Sequence, residues 1–199
     1  AAPHYMEPGV RGARAIIRLA RGDAAGARED AERSLAFARG AKDPQVLLPA
    51  LVVTAEVELA AGRSERASEL VSELFDACTT SGAGTTAARW SVRLAFVCSA
   101  LDRGRSFLEA RPALGPPTSW LEAAVAVAEG DPGRAAEILA GIGARPDEAF
   151  ARICAAEALV AEGRRPEADE QLAAALVICR GLRADAWTRR AETLLAAAG

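Results

Sequence analysis

The sequence predicts an all-α protein, an α-solenoid of about five degenerate helix pairs ended by a C-terminal capping helix. Three observations carry that expectation. Alanine supplies 49 of the 199 residues while aromatics supply only 5%. It combines the highest helix propensity with a side chain small enough for close helix crossings. Alternating β-branched runs, the mark of a half-buried strand, are hard to find. The third observation is a phrase that recurs four times, and recurrence at this spacing indicates stacked structural units.

The phrase reads Ala, three residues, Leu or Val, Ala, any residue, Gly, four residues, Ala. Its first copy runs through Ala15, Leu19, Ala20, Gly22 and Ala27, and its second through Ala55, Leu59, Ala60, Gly62 and Ala67. The third is Ala123, Val127, Ala128, Gly130 and Ala135, and the fourth Ala156, Val160, Ala161, Gly163 and Ala168. Two apolar residues four apart share one face of a first helix. Gly ends that helix by taking the left-handed conformation that satisfies its last carbonyls. Asp23 and Asp131 are expected to cap the second helix, and Pro132 and Pro166 suit its first turn. The final Ala opens the buried face of that second helix and permits a tight crossing.

The second helices repeat one apolar stripe. It comprises Ala31, Ser34, Leu35 and Ala38, then Val71, Leu74, Phe75 and Cys78, and finally Leu172, Ala175, Leu176 and Cys179. The copy begun by Ala135 keeps Leu139 and Ile142 and stops at Gly143 and Pro146. A worn fifth copy places Leu94, Val97 and Leu101 before Gly104, with Glu109 in the small-residue position and Pro112, Gly115, Pro116 and Pro117 breaking the helix. From glycine to glycine the steps are 40, 42, 26 and 33 residues, a drift suited to units that touch mainly their neighbours.

The expected pairs are 9–21 with 23–40, 44–61 with 63–80, 85–103 with 105–112, 117–129 with 131–141, and 147–162 with 164–180, capped by 182–198. Flexible points are expected at Thr79–Thr86 and Arg111–Thr118. The second is the expected divide between two lobes, 1–110 and 117–199.

Charge and composition narrow the function. A net charge of −3 and a pI near 5.4 argue against nucleic acid, which calls for a basic stripe. Lys42 is the one lysine, and asparagine is absent, a bias that reads as high-GC bacterial codon usage. Cys78, Cys98, Cys154 and Cys179 lie 20, 56 and 25 apart inside apolar runs. They read as buried thiols in a reducing cytoplasm. No window approaches the run of about 18 apolar residues that a membrane span needs. The start, AAPHYMEPGV, has no signal-peptide pattern and no initiator methionine, as expected of a processed chain or part of a longer one.

The chemical motifs are sparse. His4 is the sole histidine, which leaves no histidine-based catalytic set or metal site to build. SGAGTT at 81–86 has no lysine and follows no strand, so an interhelical loop is expected there and not a phosphate loop. No cofactor or metal site is expected. Glu65, Glu69 and Glu73 form a strip four apart that reads as a solvated outer face, and Glu29–Arg33 and Asp185–Arg189 have the spacing of surface ion pairs.

The Ala–Gly–Ala phrase in its helix–turn–helix setting resembles the tetratricopeptide repeat, although Ala, Val or Leu fill most of that repeat's aromatic positions. The stretch EADEQLAAALVICRGLRADAWTRRAETLLAAA also looks like the C-terminal helical array of bacterial regulators that carry a nucleotide-cyclase or DNA-binding module and a STAND-type ATPase. The resemblance implies a non-catalytic regulatory scaffold that binds a protein or peptide segment, including other domains of a parent chain.

It also implies that first helices line a concave face, with positions six and ten before each turn glycine toward the ligand. Those positions are Ile16 and Gly12, Glu56 and Val52, Ala124 and Trp120, Glu157 and Ile153. Val52, Glu56, Trp120, Ile153 and Glu157 are thus the candidate partner-binding residues, in a groove of little basic charge suited to an apolar or basic segment, with packing between adjacent repeats the equal alternative for Trp120 and Ile153. Glu56 and Glu157 are expected to face solvent and tolerate reversal to Arg. The alternative is a small-molecule-sensing or enzymatic helical domain with a cavity between the lobes.

The crossing role of the phrase's last alanine is directly testable. Ala67→Leu is expected to lower stability by about 1–3 kcal/mol through overpacking, read as a drop in the urea midpoint. An unchanged midpoint would show that Ala67 does not sit at a helix crossing.

Overall fold

A computed structural model describes residues 6–81 and 88–197. Among the described residues there are eleven α-helices and no strand. They are α1 (Glu7–Arg21), α2 (Ala24–Ala41), α3 (Pro44–Ala60), α4 (Ser64–Ser81), α5 (Ala88–Ala100), α6 (Gly104–Ala110), α7 (Ser119–Ala128), α8 (Pro132–Gly141), α9 (Arg145–Ala161), α10 (Arg165–Leu182) and α11 (Asp185–Ala196). A short 3-10 turn, Arg111–Ala113, follows α6. His4 and residues 82–86 of the Thr79–Thr86 segment lie outside the described residues. None of the described helices is long and apolar enough to cross a membrane.

The turns follow the local chemistry of the phrase. Gly22, Gly62, Gly130 and Gly163 all take positive φ, at 93°, 74°, 86° and 76°. Asp23 Oδ1 accepts from Gly26 N at 2.9 Å, and Asp131 Oδ1 accepts from Arg134 N at 2.9 Å, capping α2 and α8. The worn copy departs from this pattern. There the left-handed residue is Asp102, with φ 56°, and Gly104 opens α6. A Cβ on Gly104 would stand 2.7 Å from the Ala128 carbonyl oxygen, so glycine is required there by the closeness of α7.

Helices α1 and α2, α3 and α4, α7 and α8, and α9 and α10 pack as pairs. The fifth expected pair is lopsided, because α6 is only seven residues long and α5 packs mainly on α7 and α3. All eight alanines that open or close the phrase are buried, at 0–1% exposure. The second-helix stripes are buried too, apart from a half-buried Phe75 and an exposed Ile142. The Arg111–Thr118 stretch opens no gap: Leu114 is fully buried, and one apolar cluster runs from Leu35 on α2 to Ala151 on α9.

The first helices touch in succession, α1 on α3, α3 on α5 and α5 on α7, while α8 passes the contact to α9. At the far end α11 packs on α9 and α10 and also on α1. Ala20 of α1 shares an apolar cluster with Trp187 and Ala191 of α11. The array therefore curls until its C-terminal helix meets its first.

Polar groups tie the start of the array together. Asp30 of α2, 1% exposed, accepts from Arg14 Nε at 2.6 Å and lies 3.1 Å from Arg18 Nη1 and 3.5 Å from Arg11 Nη1. The hydrogen bond from Arg14 holds the Asp30 carboxyl below its ordinary 3.8, against burial, which pushes it up. Glu58 is held below its ordinary 4.5 by the hydrogen bond from Arg63. A carboxyl depressed in the folded state stabilises above its unfolded pKa and loses that contribution as pH falls through the folded value.

Stability should therefore hold from neutral pH to about pH 4.5 and fall below that point, where first Glu58 and then Asp30 begin to protonate in the unfolded chain. In denaturant titrations across this range, Asp30→Asn should be less stable at neutral pH and flatter on the acid side. An acid limb unchanged by that substitution would contradict this account of Asp30.

Candidate functional site

Three residues before its turn glycine, the Leu or Val of the phrase occupies the last turn of its helix. In α1, α3 and α7 that residue, Leu19, Leu59 and Val127, faces a common hollow. The last turns of α5 and α9 add Ser99, Ala100 and Ala158, and the start of α11 adds Ala186 and Trp187. With residues deeper on α5 and α9 they line a partly open cavity of about 770 Å³. The cavity exists because α11 returns to α1. Without that closure it would be an open groove.

Its inner wall is aromatic and charged. Phe96 and Phe150 meet edge to face with ring centroids 5.0 Å apart, and Phe150 lies 5.4 Å from Trp187. Beside this row Arg93 of α5 bridges two carboxylates. Its Nη1 donates to both Glu56 oxygens of α3 at 2.8 and 3.0 Å, and its Nη2 lies 2.9 Å from Asp147 Oδ1 of α9. The three side chains are 16%, 13% and 7% exposed, so this is a buried charged cluster spanning three helices. Burial works against the Arg93 charge, but Glu56 and Asp147 outweigh it and raise its pKa.

Nearer the opening, Arg190 of α11 donates through Nε and Nη2 to Glu157 of α9, both at 2.7 Å. Its guanidinium sits 5.3 Å from the Phe150 ring centre. Burial opposes the Arg190 charge, and the hydrogen bonds to Glu157 raise its pKa overall. Cys154 completes this side. Burial pushes its thiol up to about 12 despite Arg190 nearby, so it is a neutral thiol at pH 7. Among the described residues no three His, Cys, Asp or Glu side chains are placed to hold a metal ion.

Of the sequence-predicted residues, Glu56 and Glu157 reach the cavity together. Val52 and Ile153 are core residues, 1% and 0% exposed, and half-buried Trp120 lies under the Arg89 guanidinium, 5.8 Å from its ring centre. The reason is depth. Val52 precedes Leu59 by seven residues, so it shares that face of α3 but sits two turns further in, where α3 is in contact with its neighbours. Ala124 and Gly12 are buried for the same reason.

The structure corrects two further expectations. The groove is not poor in basic charge, since Arg93 and Arg190 enter it from α5 and α11. Glu56 is not a solvent-facing residue, so its reversal to Arg would place two buried guanidiniums side by side. Sequence reasoning missed Arg93, Phe96, Asp147, Phe150, Trp187 and Arg190. A signal was present: a charged and an aromatic residue three apart occur on α5, α9 and α11.

The outer strip behaves as expected of a solvated face. Glu65 and Glu69 are exposed, with Glu69 2.6 Å from Arg66. Glu73 accepts from Arg39 of α2 at 3.0 Å. Arg33 lies 2.8 Å from Glu29 in the expected surface pair, while Arg189 reaches across to Gly22 of α1. No family model, curated protein or solved structure matches this chain.

Arg93→Ala would leave Glu56 and Asp147 buried without their partner, and should lower stability by about 3–5 kcal/mol. Neutralising all three groups together, as Glu56→Gln, Arg93→Met and Asp147→Asn, should lower it much less. Urea midpoints compare the two, and equal losses would contradict the bridging role.

Proposed function

We propose that the chain is a non-catalytic binding and regulatory domain, a tetratricopeptide-like solenoid of five degenerate helix pairs and a cap. In this reading it serves within a larger bacterial signalling or transcriptional regulator, in the cytoplasm, and its concave face receives a protein or peptide segment. The observation that carries the proposal is the convergence of α1, α3, α5, α7, α9 and α11 on one hollow that holds charged groups from four of them, α3, α5, α9 and α11. The chemistry of that hollow favours holding over reacting. Its thiol is neutral, and its carboxylates are engaged by arginines.

A second reading, a small-molecule-sensing domain, is favoured by the size of the hollow. About 770 Å³ falls within the roughly 300–1,000 Å³ of small-ligand sites, and an extended helix would need a longer, open groove.

Crosslinking the chain to the product of the coding sequence that flanks it in frame tests the first reading. Glu157→Arg at the rim should weaken capture, while Glu65→Arg with Glu69→Arg on the outer strip should leave it unchanged. Capture lost only with the outer-strip pair would place the working surface on the convex side.

A further inference from the structure

We infer that the cavity takes a small organic cation, an apolar body of bicyclic size or larger bearing one ammonium-type group. This rests on the small-molecule reading above and names the class of its ligand. Three independent features point the same way.

The first is the charge count of the wall. Glu56, Asp147 and Glu157 face only Arg93 and Arg190, so three carboxylates meet two guanidiniums and one negative charge is left over. Each guanidinium already spends two nitrogens on carboxylates. The carboxylates are engaged by those same bonds, so the surplus negative charge is what separates the two ligand classes: it attracts a cation and repels an anion. In a partly buried setting an unbalanced charge is costly, and a ligand of opposite sign relieves it.

The second feature is the direction of the helices. Leu19, Leu59 with Ala60, Ser99 with Ala100, Val127 and Ala158 all belong to the last turns of their helices. Five helix C-termini thus converge on the hollow against three helix N-termini, at Pro132 of α8, Asp147 of α9 and Ala186 with Trp187 of α11, so the aligned peptide dipoles leave a net excess of negative ends. A cation is favoured there and an anion opposed.

The third feature is the aromatic row. Phe96, Phe150 and Trp187 present ring surface to the cavity, and Arg190 already stands over Phe150 as a cation over a ring. The same wall suits both the apolar body and the ammonium group of the ligand. The cavity volume sets the scale of that body.

Calorimetric titration of the intact chain with three compounds of one shape tests the inference: naphthylmethylammonium, naphthylmethanol and naphthoate. The expected result is binding of the cation, with the alcohol weaker by on the order of tenfold and the anion weaker still. Ala158→Trp, which fills the hollow without changing its charge, should abolish binding. Asp147→Asn should remove the preference for the cation. Should that variant fail to fold by circular dichroism, Glu157→Gln at the rim makes the same change in net charge without touching the Arg93 cluster. Equal binding of all three compounds, or tightest binding of naphthoate, each abolished by Ala158→Trp, would overturn the cation assignment while leaving the small-molecule reading in place. Binding of none, or binding indifferent to Ala158→Trp, would overturn both.

Discussion

The closeness with which the helices cross is the constraint from which the rest follows. Eight alanines of the recurring phrase stand at the crossings within and between pairs, all at 0–1% exposure. An alanine there lets two backbones approach to the short end of the usual interhelical range. Along the row of first helices α1 meets α3, α3 meets α5 and α5 meets α7. The array closes where α11 reaches α1 through Ala20, Trp187 and Ala191. Larger residues at these points would hold the helices apart and open the curve.

Closure changes the chemistry of the concave face. A charged residue on an open groove stays hydrated, and its ion pairs contribute little, about 0–1 kcal/mol. Deep in the hollow, where Arg93, Glu56 and Asp147 are 16%, 13% and 7% exposed, the same residue loses water and must be matched. Arg93 matches Glu56 and Asp147 from α3 and α9, and Arg190 matches Glu157. These bridges join α3 to α5, α5 to α9 and α9 to α11, beside the apolar contacts Phe96–Phe150 and Phe150–Trp187. One carboxylate charge remains in excess, in a space walled by aromatic rings and by helix ends of both kinds, C-termini in the majority. In the proposed reading, binding capacity is a by-product of how the array closes.

Much of the fold was legible because its determinants are local. The turn glycines, the Asp23 and Asp131 caps and the apolar stripes each act within a few residues of themselves, and the helix limits follow from them. The shift at the worn copy was not legible, since Gly104 is set by the carbonyl of Ala128, a residue 24 positions away. The site was half legible for a similar reason. Glu56 and Glu157 follow from helix register, but their partners Arg93 and Arg190 lie 37 and 33 residues further along the chain. Val52 and Ile153 were assigned to the right face and the wrong depth, because register gives direction around a helix and not where neighbouring helices meet.

The contact of α11 with α1 is the central claim, since the far wall of the hollow and its Arg190–Glu157 pair both depend on it. Small-angle X-ray scattering of the monomer in solution tests it directly. A closed array of this length should scatter as a compact particle with a radius of gyration of about 16 Å and a symmetric pair-distance distribution. A clearly larger radius with an elongated tail would mean an open, extended array, and the hollow described here would not exist in solution.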